Sequence, residues 1–75
     1  MKKESLQLRI TADPNILCGK PVIRGLRISV SQILASLSNN VSTDDLLNDY
    51  PELEKEDIFA SLAYASEVLS KISKN

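Results

Sequence analysis

Ile28-Ser29-Val30-Ser31-Gln32-Ile33 is the start of a helix, and the same six-residue pattern returns at Val41-Ser42-Thr43-Asp44-Asp45-Leu46 and at Leu53-Glu54-Lys55-Glu56-Asp57-Ile58. In each, an apolar residue precedes a capping position. Three residues on comes an acid or amide that can reach back, and then a second apolar residue. The capping side chain accepts from first-turn amides that have no partner inside the helix, and the apolar pair closes as a staple. Ser29 with Gln32 reads as a capping box, Ser42 with Asp45 as a near variant, and Glu54 as a weaker cap than Ser or Thr.

An apolar stripe follows each start. Val30, Ile33, Leu34 and Leu37 line the first helix, Leu46, Leu47 and Tyr50 the second, and Ile58, Leu62, Ala65, Leu69 and Ile72 the third, at the three- and four-residue spacings of one helical face. Asn39-Asn40 ends the first helix, because Asn tolerates the left-handed backbone of a C-terminal cap. Pro51 ends the second. The helices are expected at about 30–38, 43–49 and 55–73. Upstream, Leu6, Leu8 and Ile10 alternate with Gln7 and Arg9 as in a half-buried strand, Asp13-Pro14-Asn15 reads as a turn, and Val22-Ile23 and Leu26-Arg27-Ile28 read as short extended pieces around Gly25. The fold class is therefore mainly α: a trihelical, helix-turn-helix-like array after a short β-element at about 6–28. With 75 residues, residues 1–75 are read as one domain.

So small a domain buries little surface. One Cys and no His leave neither a disulfide nor a metal to reinforce it, and no metal or cofactor is expected. Self-association or a partner chain is expected instead. The charged start Met1-Lys2-Lys3-Glu4 does not resemble a signal peptide, no stretch has the length of a membrane span, and a lone Cys fits a reducing compartment. The reading is a cytoplasmic protein with no membrane partner. Charge is divided along the chain. Residues 1–38 carry six basic side chains against Glu4 and Asp13, while residues 39–75 carry eight acids against Lys55, Lys71 and Lys74. Such a division suits two ends that meet different partners.

The candidate site is Gly19-Lys20-Pro21-Val22-Ile23-Arg24-Gly25-Leu26-Arg27-Ile28-Ser29-Val30. Gly19 and Gly25 permit turn geometry, and Pro21 fixes its own φ and extends the residue before it. These three shape a loop or tight hairpin from which Lys20, Arg24 and Arg27 are expected to project as a cationic, solvent-facing edge. The planar guanidinium suits two-pronged bonding to carboxylate or phosphate. Catalysis is not expected. The chain lacks His and any Gly-rich phosphate loop, Cys18 has no base to activate it, and most acids fall in helix first turns, where they favour the dipole. The acidic start of the third helix, Glu54-Lys55-Glu56-Asp57, would be repelled by phosphates in the usual groove-reading pose. DNA contact, where it occurs, is assigned to the basic N-terminal part.

Ile10-Thr11-Ala12-Asp13-Pro14-Asn15-Ile16, the stretch Gly19 to Val30, Tyr50-Pro51-Glu52-Leu53 and Asp57-Ile58-Phe59-Ala60-Ser61-Leu62-Ala63-Tyr64-Ala65 resemble the prokaryotic "domain of unknown function 433" family, over about residues 8–66. The resemblance implies a homeodomain-like trihelical fold with a short β-element in front. It also implies the role of antitoxin in a type II toxin–antitoxin pair whose toxin is a PIN-like ribonuclease. Asn39-Asn40 departs from a Gly common in the family, and Glu54 from a Ser or Thr. The function expected is neutralisation of such a ribonuclease, with Arg24 and Arg27 meeting its acidic site. The alternatives are a DNA-binding regulator of its own operator and a non-catalytic oligomerisation module.

Overall fold

The computed structural model describes residues 6–73; the charged start Met1-Lys2-Lys3-Glu4 lies outside them. Two short antiparallel strands, β1 (Ile10–Thr11) and β2 (Val22–Ile23), precede three helices, α1 (Val30–Ser38), α2 (Thr43–Asp49) and α3 (Lys55–Ser73). Ile10 pairs with Ile23 and Thr11 with Val22. The chain is mainly helical, and the helices follow a β-element as expected.

The helix starts form as their sequences dictate. Ser29 Oγ accepts from the Gln32 N–H at 3.0 Å and Ser42 Oγ from the Asp45 N–H at 3.1 Å. The reciprocal half of the first box is absent: Gln32 Nε2 donates to the Tyr50 hydroxyl at 2.7 Å, which ties α1 to the end of α2. At α3 the reciprocal half alone is present, with the Glu54 N–H donating to Asp57 Oδ2 at 2.8 Å. The staple residues Ile28, Ile33, Leu46, Leu53 and Ile58 are buried together with Ile23 and Val30, and Val41 packs against them. The same six residues that start the helices thus build most of the core. Burying a side chain of this size contributes roughly 1.5–3 kcal/mol.

α1 ends at Asn39. Asn40 takes the left-handed conformation (φ 67°), its N–H donates to Leu37 O, and the Val41 N–H donates to Ser36 O, both at 3.1 Å. This is the paired closure of a Schellman motif. Asn takes the role that Gly usually fills there.

One expectation is corrected. Leu6, Leu8 and Ile10 do not share a strand. Leu6 and Gln7 are helical and Leu8-Arg9 turn, closed by the Arg9 N–H to Leu6 O at 3.1 Å. Leu8 is 81% exposed. The alternation fails because Arg9 is drawn toward α3 rather than left on a solvent face. The apolar stripe of α3 is not the core face. Of its five residues only Ile58 is buried, whereas Asp57, Ala60 and Ser61 on the adjoining face are. At about 100° per residue the two faces lie roughly a quarter turn apart. Small Ala60 and Ser61 let the α3 backbone approach its neighbours, and the buried Ser61 hydroxyl donates to Asp57 O at 3.0 Å. No helix among the described residues is long and apolar enough to cross a membrane.

Candidate functional site

The stretch from Gly19 to Val30 is a tight hairpin. The Val30 N–H donates to Pro21 O and the Ile23 N–H to Ile28 O, both at 3.0 Å. The turn is closed by the Leu26 N–H to Ile23 O at 2.7 Å. Within the four-residue loop between Ile23 and Ile28, Arg24 (φ 47°) and Gly25 (φ 74°) both lie in the left-handed region, as a type I′ turn requires of its two central residues. Nothing stands within 4 Å of where a Gly25 Cβ would be, so Gly is needed there for its backbone and not for space. Leu17, Cys18 and Gly19 form an earlier left-handed run (φ 47°, 58° and 83°) that turns the chain into β2. It follows the predicted Asp13-Pro14-Asn15 turn, which Asp13 Oδ1 closes by accepting from the Asn15 N–H at 2.8 Å.

This hairpin is not wholly solvent-facing. Val22, Ile23, Ile28, Ser29 and Val30 are buried. A hairpin needs one face against the core to hold its register, and Ile23, Ile28 and Val30 supply it.

Arg24 is likewise not a free cation. Its Nε and Nη2 donate to Asp57 Oδ1 at 3.1 Å and Oδ2 at 2.9 Å, the two-pronged geometry expected of Arg, toward a carboxylate of its own chain. Nη2 also donates to Glu52 O at 2.8 Å. Arg9 Nη1 donates to Asp57 Oδ1 at 2.9 Å and to Glu54 Oε1 at 2.7 Å. Asp57 is completely buried, while the Arg9 and Arg24 side chains are 21% and 36% exposed. With the Glu54 N–H, four donors converge on its two oxygens. The left-handed strain of Arg24, about 1–2 kcal/mol for a residue with a Cβ, is offset by this pairing. Arg24, Arg9 and Asp57 therefore staple the hairpin tip and the segment before β1 to the first turn of α3.

The electrostatics follow. Burial by itself would push the Asp57 carboxyl up. Hydrogen bonds from Arg24, the Glu54 N–H and Arg9, together with the Arg24 charge, outweigh burial and hold it below the ordinary value. The Arg9 guanidinium is raised by its hydrogen bonds to Glu54 and Asp57. That of Arg24 is raised by its hydrogen bonds to Asp57, against the opposing effect of burial. The acids at the start of α3 that would repel phosphates are thus partly neutralised: Glu54 and Asp57 each face an arginine, and Glu56 is left.

Lys20 and Arg27 are exposed. Among the described residues neither side chain has a hydrogen-bond or ion-pair partner. The sequence reading placed Lys20, Arg24 and Arg27 on one edge, with Arg24 and Arg27 as the contacts to the nuclease, and the structure separates them. Arg24 holds the hairpin, and the other two face solvent. Sequence reading missed Arg9, Asp57 and Glu54 as members of one cluster. The signal available was Asp57 three residues after the cap position of α3, where a carboxylate meets backbone N–H groups. Cys18 is exposed and free. No group of three or more His, Cys, Asp or Glu side chains that could hold a metal ion occurs among the described residues.

Residues 10–65 match the family described as "Protein of unknown function (DUF433)". The match takes in β1, the hairpin, α1, α2 and the first half of α3. A Sinorhizobium fredii protein named "Uncharacterized protein y4eO" is 38% identical over 56 residues, covering 75% of this chain and 25% of that protein. The chain thus spans about a quarter of the length of this curated relative. The crystal structure of a DUF433 member from Anabaena variabilis superposes with a TM-score of 0.78 at 30% identity, covering 95% of this chain and 70% of the other.

Proposed function

The chain belongs to the DUF433 family, and on that premise we propose that it is the antitoxin of a type II toxin–antitoxin pair, binding and neutralising a PIN-like ribonuclease. The resemblance supplies the partner class. The observation that carries the surface assignment is the division of labour in the hairpin: Arg24 is spent on Asp57, which leaves Lys20 and Arg27 exposed on a backbone held in one shape. A PIN-like nuclease gathers acids around Mg²⁺. An Arg27 guanidinium presented to those carboxylates from a fixed backbone competes with the metal, and Lys20 adds a second exposed positive charge on the same stretch. Pre-fixing the edge lowers the ordering cost of binding, and opposite charge speeds encounter.

Operator DNA is the second ligand we assign, on a separate observation. The pairing of Glu54 and Asp57 with Arg9 and Arg24 removes much of the repulsion that the start of α3 would otherwise direct at phosphates. The two roles coexist where an antitoxin represses its own operon.

Co-expression with the nuclease of the neighbouring gene tests the first reading. A stable complex on purification is the expected outcome. Failure of the two chains to associate at any salt concentration contradicts it. Binding to the chain's own promoter that weakens steeply between low and moderate salt supports the second reading, and its absence removes that reading alone.

A further inference from the structure

The fold leaves the apolar stripe of α3 uncovered. Leu62, Leu69 and Ile72 are 48%, 63% and 72% exposed, with half-buried Ala65 among them. Their spacings of three, four and three residues are those of one coiled-coil seam. Beside the stripe runs a groove of about 380 Å³ lined by Pro21, Val30, Leu34, Tyr64, Val68 and Leu69. A helix laid on the stripe therefore meets a second apolar wall formed by α1 and the approach to β2. Contiguous exposed apolar surface of this kind marks an interaction site.

We infer that this stripe is the interface with a second copy of the chain, the two α3 helices running antiparallel about a two-fold axis near Glu67. The spacing of the stripe carries the choice of occupant. Three, four, three reads the same in both directions, so reversing one helix sets Leu62 opposite Ile72 and Ala65 opposite Leu69. A large residue then meets a small one at the centre, and two large residues meet at each end. Such self-complementarity is what a two-fold interface requires. The charge pattern agrees. The positions bordering the seam within this span are Ser66 and Val68, while the charged Glu67 and Lys71 lie off it. No like charges confront each other across the axis. A seam of four residues is short for a standard interface, so the dimer is expected to dissociate on dilution.

Lys20 borders the groove, so the test leaves Lys20 and Arg27 unchanged. Sedimentation equilibrium of the full chain at roughly 100 μM should give twice the monomer mass of 8.3 kDa, falling toward the monomer on dilution. Leu69→Glu should give the monomer at the same concentration with an unchanged far-UV spectrum, because the side chain it replaces is exposed. In a Cys18→Ser background, oxidised Leu62→Cys/Ile72→Cys should cross-link into covalent dimers. Leu62→Cys alone should not, since the two copies of that position stand about 15 Å apart along an antiparallel pair. A monomeric wild type at that concentration, a Leu69→Glu variant that remains dimeric, or cross-linking through Leu62→Cys alone overturns the assignment. So does a monomeric wild type whose binding to the ribonuclease is abolished by Leu69→Glu, which would give the stripe to that partner.

Discussion

Replacing Asp57 by Asn keeps the shape of the side chain and removes its charge. In the folded protein Asp57 is fully buried and accepts from Arg24 twice, from Arg9 and from the Glu54 N–H. An amide oxygen can still accept the Arg9 and Arg24 bonds on one side. The amide nitrogen then faces the Glu54 N–H and Arg24 Nη2, and donor meets donor. Breaking a buried ion pair costs roughly 3–5 kcal/mol. The value here belongs at the lower end, about 3 kcal/mol, because the partly exposed Arg9 and Arg24 recover water when their partner is lost. A chain of this length has roughly 4–11 kcal/mol in total, so the variant stays marginally folded, with a melting temperature lower by roughly 12–24 °C. Urea unfolding should show a lower midpoint with an unchanged slope. The pH dependence is the second readout. The folded Asp57 carboxyl lies below its unfolded value, near 3.9. Its contribution is therefore fully present at neutral pH and is lost as pH falls through the folded value. Wild-type stability should decline as pH falls below the unfolded carboxylate range, because the folded Asp57 carboxyl is held lower, and the Asn variant should decline less steeply. A loss below about 1 kcal/mol, or identical pH profiles, would refute the claim that this cluster holds the hairpin to α3.

Glu54→Ser trades two effects. A Ser cap contributes roughly 0.5–2 kcal/mol over a poor one, whereas the exposed Arg9–Glu54 pair is worth about 0.2–1 kcal/mol. A small rise in urea midpoint is expected, and a fall would show that Arg9 depends on Glu54 more than its exposure suggests. Gly25→Ala should cost about 1–2 kcal/mol through the left-handed backbone alone, since a Cβ there meets no neighbour. An unchanged midpoint would mean that the turn is not held at its positive φ.

The helices were legible because their starts carry local chemistry. Ser29 and Ser42 cap, Asn40 closes α1, Pro51 follows α2, and the flanking apolar pairs become the core. Each of these signals acts within six residues. What could not be read depended on contacts distant in sequence. Arg24 and Asp57 are 33 positions apart and Arg9 and Asp57 are 48, so nothing local shows that they meet. The same limit explains the strand misread at Leu6 to Ile10, where alternation was present but Arg9 had a partner beyond the sheet. The α3 stripe was visible in sequence as an apolar face, but periodicity does not say which molecule covers it. Of the basic edge, the residues and the turn at Gly25 were visible in sequence. The division between a structural Arg24 and an exposed Lys20 and Arg27 was not.

The most direct test of the central claim is a titration of the neighbouring ribonuclease, with RNA cleavage as the readout. Wild-type chain should abolish cleavage near stoichiometric ratio. Lys20→Glu/Arg27→Glu, whose replaced side chains are exposed and have no partner among the described residues, should keep the wild-type unfolding midpoint and leave the nuclease active, since reversing charges that face a carboxylate cluster turns attraction into repulsion. Inhibition by the double variant at the wild-type ratio, or no inhibition by the wild type, would contradict the assignment of the hairpin edge as the surface that neutralises the nuclease.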